Sequence, residues 1–109
     1  MSRVCFSHAL HLVTDHKHGS LQDLEKLVYQ AVLGGVTAVQ LRNKTAHKHS
    51  LFKVGQALLT LLRPKNIPLI INDHADLALA LGADGVHIGQ LDLPFPEVRA
   101  MLHPDQCVG

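Results

Sequence analysis

Short apolar runs alternate with longer amphipathic segments four times along this chain, and no other feature restricts its fold as strongly. Ala9 to Thr14, Thr37 to Leu41, Ile67 to Ile71 and Gly85 to Ile88 read as buried strands. Between the first two, Leu21, Leu24, Leu27, Val28, Ala31 and Val32 recur at helical spacing, opened by Ser20 with Asp23 behind it and closed by Gly34-Gly35. Leu51, Val54, Leu58, Leu61 and Leu62 mark a second helix that has to stop near Pro64. Ala75 to Leu81 is a third helix, stopped by Gly82, and Pro94 to Leu102 a fourth, after which Gln106 to Gly109 reads as the start of a fifth strand.

Strands that are apolar on both faces and separated by helices form a parallel sheet with helices packed over it, so the class is α/β. Two architectures satisfy this pattern, an open doubly wound sheet and a (β/α)8 TIM barrel, and the barrel needs at least roughly 200 residues. The 109 residues make four βα units and part of a fifth strand, about half a barrel, with no helix after the last strand. The expectation is a single partial domain spanning 1–109, the N-terminal part of something longer. An isolated half-barrel exposes strand edges and apolar helix faces, which predicts self-association or pairing with a missing C-terminal half.

An apolar fraction of 47% fits a globular chain, and ten basic against nine acidic residues leave a formal charge of +1 with no like-charged block. Nucleic acid and membrane surfaces are thereby disfavoured as partners, and with no apolar stretch long enough to span a bilayer the expected location is cytoplasmic. Cys5 and Cys107 form no CxxC pair and read as reduced thiols. The triplets His16-Lys17-His18 and His47-Lys48-His49 read as solvated loops, because no cysteine or i, i+4 histidine completes a ligand set at known spacing.

In either architecture chemistry collects where the strands end. In VQLRNK the period-two alternation sends Gln40, Arg42 and Lys44 to one face and Val39, Leu41 and Asn43 to the other. The third strand ends in Asn72-Asp73, and the fourth leads into His87, Gln90 and Asp92. Two cations facing two carboxylates are poorly explained as buried ion pairs, since desolvation offsets their attraction. They suit an anion and a divalent metal together: Mg²⁺ takes one or two carboxylates plus phosphate oxygens, while Arg and Lys bind the remaining oxygens. Simpler roles stand beside this one. Asp73 and Asp92 are each placed to cap the helix that follows, Arg42 and Lys44 to lie on a surface loop, and Asn72 to form a turn. His87 reads as a histidine packed in the sheet, and Asp15, Asp76 and Asp84 as structural residues.

The stretches GVTAVQLRNK (35 to 44) and PLIINDHADLALALGADGVHIGQLDLP (68 to 94), with LVTD at the end of the first strand, resemble the strand-end patterns of the thiamin phosphate synthases, in the same order and spacing. The resemblance implies a (β/α)8 barrel and a transferase of thiamin biosynthesis. It would join hydroxymethylpyrimidine, from its diphosphate, to thiazole phosphate and release pyrophosphate with Mg²⁺. By position, the run Gln40, Leu41, Arg42, Asn43, Lys44 together with Asn72 matches the stretch that holds the pyrimidine diphosphate, and Asp73 and Asp92 match the two Mg²⁺ ligands. In that family's dissociative mechanism the bond to pyrophosphate breaks first, so Arg42 and Lys44 would act catalytically by stabilising charge on the leaving group. Asn43 stands where the pattern is usually acidic, and His74 where it usually has Arg. The family's serine after the fifth strand and its later phosphate loops have no counterpart in the 109 residues, so the chain alone is expected to be inactive. A thiazole tautomerase of the same superfamily, which tends to lack the paired acids, and a non-catalytic, self-associating half-barrel are the competing assignments.

Overall fold

A computed structural model describes residues 11–15, 21–43, 47–89 and 94–109, with the backbone alone at 11–15, 21 and 22. Five strands, β1 (His11–Asp15), β2 (Ala38–Arg42), β3 (Leu69–Asn72), β4 (Gly85–His87) and β5 (Cys107–Val108), alternate with four helices. The helices are α1 (Leu21–Leu33), α2 (Lys48–Leu62), α3 (Ala75–Leu81) and α4 (Phe95–Met101), and one 3-10 turn at Arg63–Lys65 follows α2. Every expected element is present. The second triplet is not a loop, because Lys48 and His49 already belong to α2.

All four strand pairs are parallel, and the sheet order runs β1-β2-β3-β4-β5 without a reversal. A doubly wound sheet would reverse direction at a switch point; consecutive order with right-handed crossovers places successive helices on the same face. Accordingly α1 packs on α2, α2 on α3 and α3 on α4. Val39, Leu41, Leu69, Ile71 and Val86 point into this helical layer and form one core with Leu24, Val28, Leu58, Leu62, Leu77 and Val98. Side-chain alternation sends Gln40, Arg42, Ile70, Asn72 and His87 to the opposite face.

Close packing explains two of the glycines. A Cβ on Gly55 of α2 would lie 2.5 Å from a Leu81 methyl, so this glycine is what lets α2 and α3 approach. A Cβ on Gly85 would lie 2.7 Å from the Cys107 carbonyl oxygen, so β5 can pair with β4 only beside a glycine. Cys107 itself is disulfide-bonded. That corrects the expectation of a reduced thiol, since separation along the sequence does not measure separation in a fold; the chain's other cysteine, Cys5, lies outside the described residues.

The turn from α3 to β4 is held by polar groups. Gly82 ends α3 in the left-handed region at φ 67°, and its carbonyl accepts a bond from Arg63 Nη2 at 3.1 Å. Asp84 fixes the start of β3, accepting from the Leu69 amide through Oδ2 at 2.8 Å while its own amide donates to the Leu69 carbonyl at 2.9 Å. Its expected structural role is thus accounted for. Gln106 is buried, and its amide nitrogen donates to the carbonyls of Ala78 and Ala83, both at 2.9 Å, while its amide oxygen accepts from the His103 amide at 3.0 Å. Arg99 closes the same loop by donating to the His103 and Gln106 carbonyls. Replacing Gln106 by Leu removes the donor to the buried Ala83 carbonyl and the acceptor for the half-buried His103 amide. We expect Gln106→Leu to lower unfolding free energy by about 1–3 kcal/mol, read as a shift of the urea midpoint at constant slope.

Candidate functional site at the carboxyl edge of the sheet

Strand register decides which residues meet at the carboxyl edge. Asp15 pairs with Arg42 across β1 and β2, and Asn72 pairs with His87 across β3 and β4. Leu41 pairs with Ile71, so one step further brings Arg42 level with Asn72. Paired residues of a parallel sheet share a face, which makes Arg42, Asn72 and His87 one row across three strands, with the Asp15 backbone beside Arg42. Gln40 lies one layer below Arg42 and is buried. Arg42, Asn43 and Asn72 are half-buried, and neither Gln40, Arg42 nor Asn43 is without a partner.

Leu41 is 2% exposed and belongs to the helical core, so only its backbone can take part in this row. The expected division of VQLRNK between two faces therefore holds for Gln40 and Leu41. His87 differs from its expected packing: its side chain is exposed, and it is its backbone carbonyl that serves the site. Lys44, Gln90 and Asp92 lie outside the described residues, as do the first HKH triplet and Ser20.

Asp73 has an unusual backbone. Its φ is 72°, in the left-handed region that costs most non-glycine residues about 1–2 kcal/mol and that Asp and Asn tolerate best. Two bonds hold the turn in this shape, the Asp73 amide donating to the His87 carbonyl at 2.8 Å and the His74 amide to the Asn72 carbonyl at 2.9 Å. β4 thus dictates where residue 73 projects. The capping role is excluded, because His74 holds the cap position of α3 and makes no side-chain cap bond. Likewise the cap position of α4 belongs to Pro94, not Asp92. Among the described residues the Asp73 carboxylate has no hydrogen bond or ion pair, so it is available to a ligand. Strain kept at one carboxylate with no structural partner is a mark of a functional position.

A metal is tested by the donors present. No cluster of three or more His, Cys, Asp or Glu that could hold an ion occurs among the described residues. Mg²⁺ would ask for less than such a cluster, since it takes one or two carboxylates and completes its shell with water and phosphate oxygens. The unpartnered, half-buried carboxylate of Asp73 is a suitable oxygen donor.

Sequence reasoning passed over Lys48. Its ammonium bonds Asp76 Oδ2 at 2.8 Å, joining the start of α2 to the first turn of α3. An open cavity of about 380 Å³ beside the pair is lined by Lys48, Asp73, His74, Asp76 and, from α4, Val98 and Met101. The only signal for Lys48 was its place between two histidines, and the triplet read as a solvated loop rather than as half of an ion pair. Partial burial pushes the Asp76 carboxyl up, but the Lys48 hydrogen bond, the Leu77 amide, and the charges of Lys48 and His74 outweigh it and leave the pKa below 3.8.

The comparisons with known proteins agree on one family. The family described as thiamine monophosphate synthase matches residues 10–109, and the chain belongs to it. It is 48% identical over 102 residues to the thiamine-phosphate synthase of Ruminiclostridium cellulolyticum, covering 94% of this chain and 49% of that protein. Against the thiamine-phosphate synthase of Azorhizobium caulinodans it is 50% identical over 104 residues, covering 95% and 49%. The solved structure of thiamine phosphate pyrophosphorylase from Pyrococcus furiosus superposes with a TM-score of 0.77 at 29% identity, over 92% of this chain and 48% of that one. The chain thus spans about half the length of the relatives it matches.

Two measurements probe this edge directly. At a left-handed φ the side chain, not the charge, sets the backbone cost: Asp73→Val should unfold about 1–2 kcal/mol more easily than Asp73→Gly. Equal urea midpoints for the two would refute the left-handed turn. The Asp76 carboxyl, depressed in the folded state, contributes stability above the unfolded carboxylate pKa and loses it as pH falls through the folded value. With both partners more than half exposed the contribution is at most about 1 kcal/mol. The stability difference between wild type and Asp76→Asn should therefore be constant above about pH 5 and shrink as pH falls through the lowered Asp76 value.

Proposed function

We propose that this chain supplies the pyrimidine-diphosphate and Mg²⁺ half of a thiamin phosphate synthase, a transferase that joins hydroxymethylpyrimidine to thiazole phosphate and expels pyrophosphate. The observation that carries the proposal is the family match over residues 10–109, which includes Gln40, Arg42, Asn72 and Asp73 at one sheet edge. Arg42, with Lys44, would bind the diphosphate oxygens, and the amides of Gln40 and Asn72 would orient the ester. Asp73 and Asp92 would hold Mg²⁺, whose charge helps offset that of the departing pyrophosphate. No nucleophile is required of the protein. Its residues act by fixed electrostatics at the leaving group and by keeping the second substrate close and water out.

The consecutive parallel sheet supports a barrel, and we infer that the five strands are one half of a (β/α)8 barrel whose remaining half contributes the thiazole phosphate site. No helix among the described residues is long and apolar enough to cross a membrane. As an open sheet, the chain has β1 and β5 as its edges, which favours association with a second half or with another copy.

The test uses the 109-residue chain alone and the same chain completed by its own continuation or by the second half of the Ruminiclostridium cellulolyticum relative. We expect Mg²⁺-dependent formation of thiamin phosphate from the completed barrel and none from the chain alone. In the completed barrel, Asp73→Ala and Asp92→Ala should each lower kcat/KM by about a hundredfold or more, the scale on which pre-placed charge acts in catalysis. Full activity in the Asp73→Ala, Asp92→Ala double variant would refute the metal assignment, and turnover by the 109 residues alone would refute the need for a second half. Light scattering across a concentration series tests the association, with a monomer at all concentrations counting against it.

A further inference from the structure

Lys48 sits where a cation is electrostatically misplaced. It is the first residue of α2, a helix with no acid in its first turn and no side-chain cap bond from His47, and helix N-termini already carry partial positive charge. Its partner Asp76, by contrast, lies in the first turn of α3, where an acid is favourable without any help. Exposed pairs of this kind add little to stability, and both ends of this one are more than half exposed. Local propensity and folding energy therefore leave Lys48 unexplained.

Its location explains it. α2 follows the connection that leaves β2 at Arg42, and α3 follows the turn that contains Asp73. Lys48, Asp76 and Asp73 line the same cavity. The pair is a tie between two neighbouring connections, one leading from the cationic strand end and one carrying the free carboxylate. On the β3 side the turn is already fixed by the Asp73 amide on the His87 carbonyl. The Lys48–Asp76 bond then references the start of α2 to that fixed turn.

We propose that Lys48 and Asp76 are positioning residues, a clasp that holds the start of α2 to the start of α3 so that Arg42 and a cation on Asp73 meet one diphosphate from fixed positions. This rests on the function proposed above. Neither residue touches the substrate; removing either lets the α2 start drift and weakens diphosphate binding.

Steady-state kinetics of the completed barrel test the clasp. Lys48→Met and Asp76→Asn should each raise KM for the pyrimidine diphosphate by roughly three- to fivefold, the upper range a single exposed ion pair can deliver, with kcat and the KM for thiazole phosphate within about twofold. Lys48→Arg should keep the wild-type value, and the charge swap Lys48→Glu with Asp76→Lys should recover most of it. Lys48→Glu alone separates the clasp from helix electrostatics: an acid suits the start of α2, yet facing Asp76 it should give the largest KM. An unchanged diphosphate KM in Lys48→Met and Asp76→Asn, or no recovery in the swap, overturns the proposal. Arg42→Ala and Asp73→Asn are the parallel controls. If the completed wild-type barrel makes no thiamin phosphate, it is the synthase function that fails; if Arg42→Ala and Asp73→Asn leave turnover intact, the diphosphate and Mg²⁺ site is wrongly assigned; if they abolish it while the clasp variants bind normally, the clasp alone is wrong.

Discussion

One constraint organises the rest of the structure: every strand has to spend alternate side chains on the helical layer. Val39 and Leu41, Leu69 and Ile71, and Val86 are buried against α1 to α4, and at about 1.5–3 kcal/mol for each fully buried aliphatic side chain this layer is the main source of stability. A one-residue slip of β2, β3 or β4 would exchange its two faces and turn Gln40 and Arg42, Asn72 or His87 into the helical layer. The residues between the aliphatic ones are therefore committed to the opposite face and to a fixed height on it. That commitment aligns Arg42, Asn72 and His87 along one edge of the sheet.

Two kinds of residue share the stretches that resemble the family, and they differ in what they hold together. Gly82, Ala83, Asp84 and Gly85 build a turn: a left-handed helix end, a carbonyl for Gln106, a clamp on the start of β3, and a bare Cα against which β5 can lie. Asn72 and Asp73, only a helix away in sequence, have no comparable structural duty in their side chains. Similarity across the whole stretch thus covers residues that hold the fold at one end and, on the function proposed above, residues that meet a ligand at the other.

Element type and order were legible in the sequence because periodicity is a local property, and the polar residues at the strand ends could be placed from alternation alone. Three features were not legible. The left-handed φ of Asp73 depends on a bond from β4, a partner remote in sequence until the sheet forms. The Lys48–Asp76 pair joins two helix starts whose proximity is set by the packing of α2 on α3 through Gly55 and Leu81. The exposure of His87 follows from its being the last residue of a short strand, where burial in the sheet ends. Each is a consequence of long-range contact, which single-residue propensities do not contain.

The conformation of residue 73 also narrows what could ever replace it. A longer acid such as Glu keeps the charge but lacks the short polar side chain that lets Asp and Asn sit in the left-handed region at low cost. Glycine and asparagine suit the backbone but bring no charge. The position is therefore bound twice, by its turn and by its carboxylate, and aspartate is the residue that meets both demands, which leaves this corner of the sheet little room to change one property at a time.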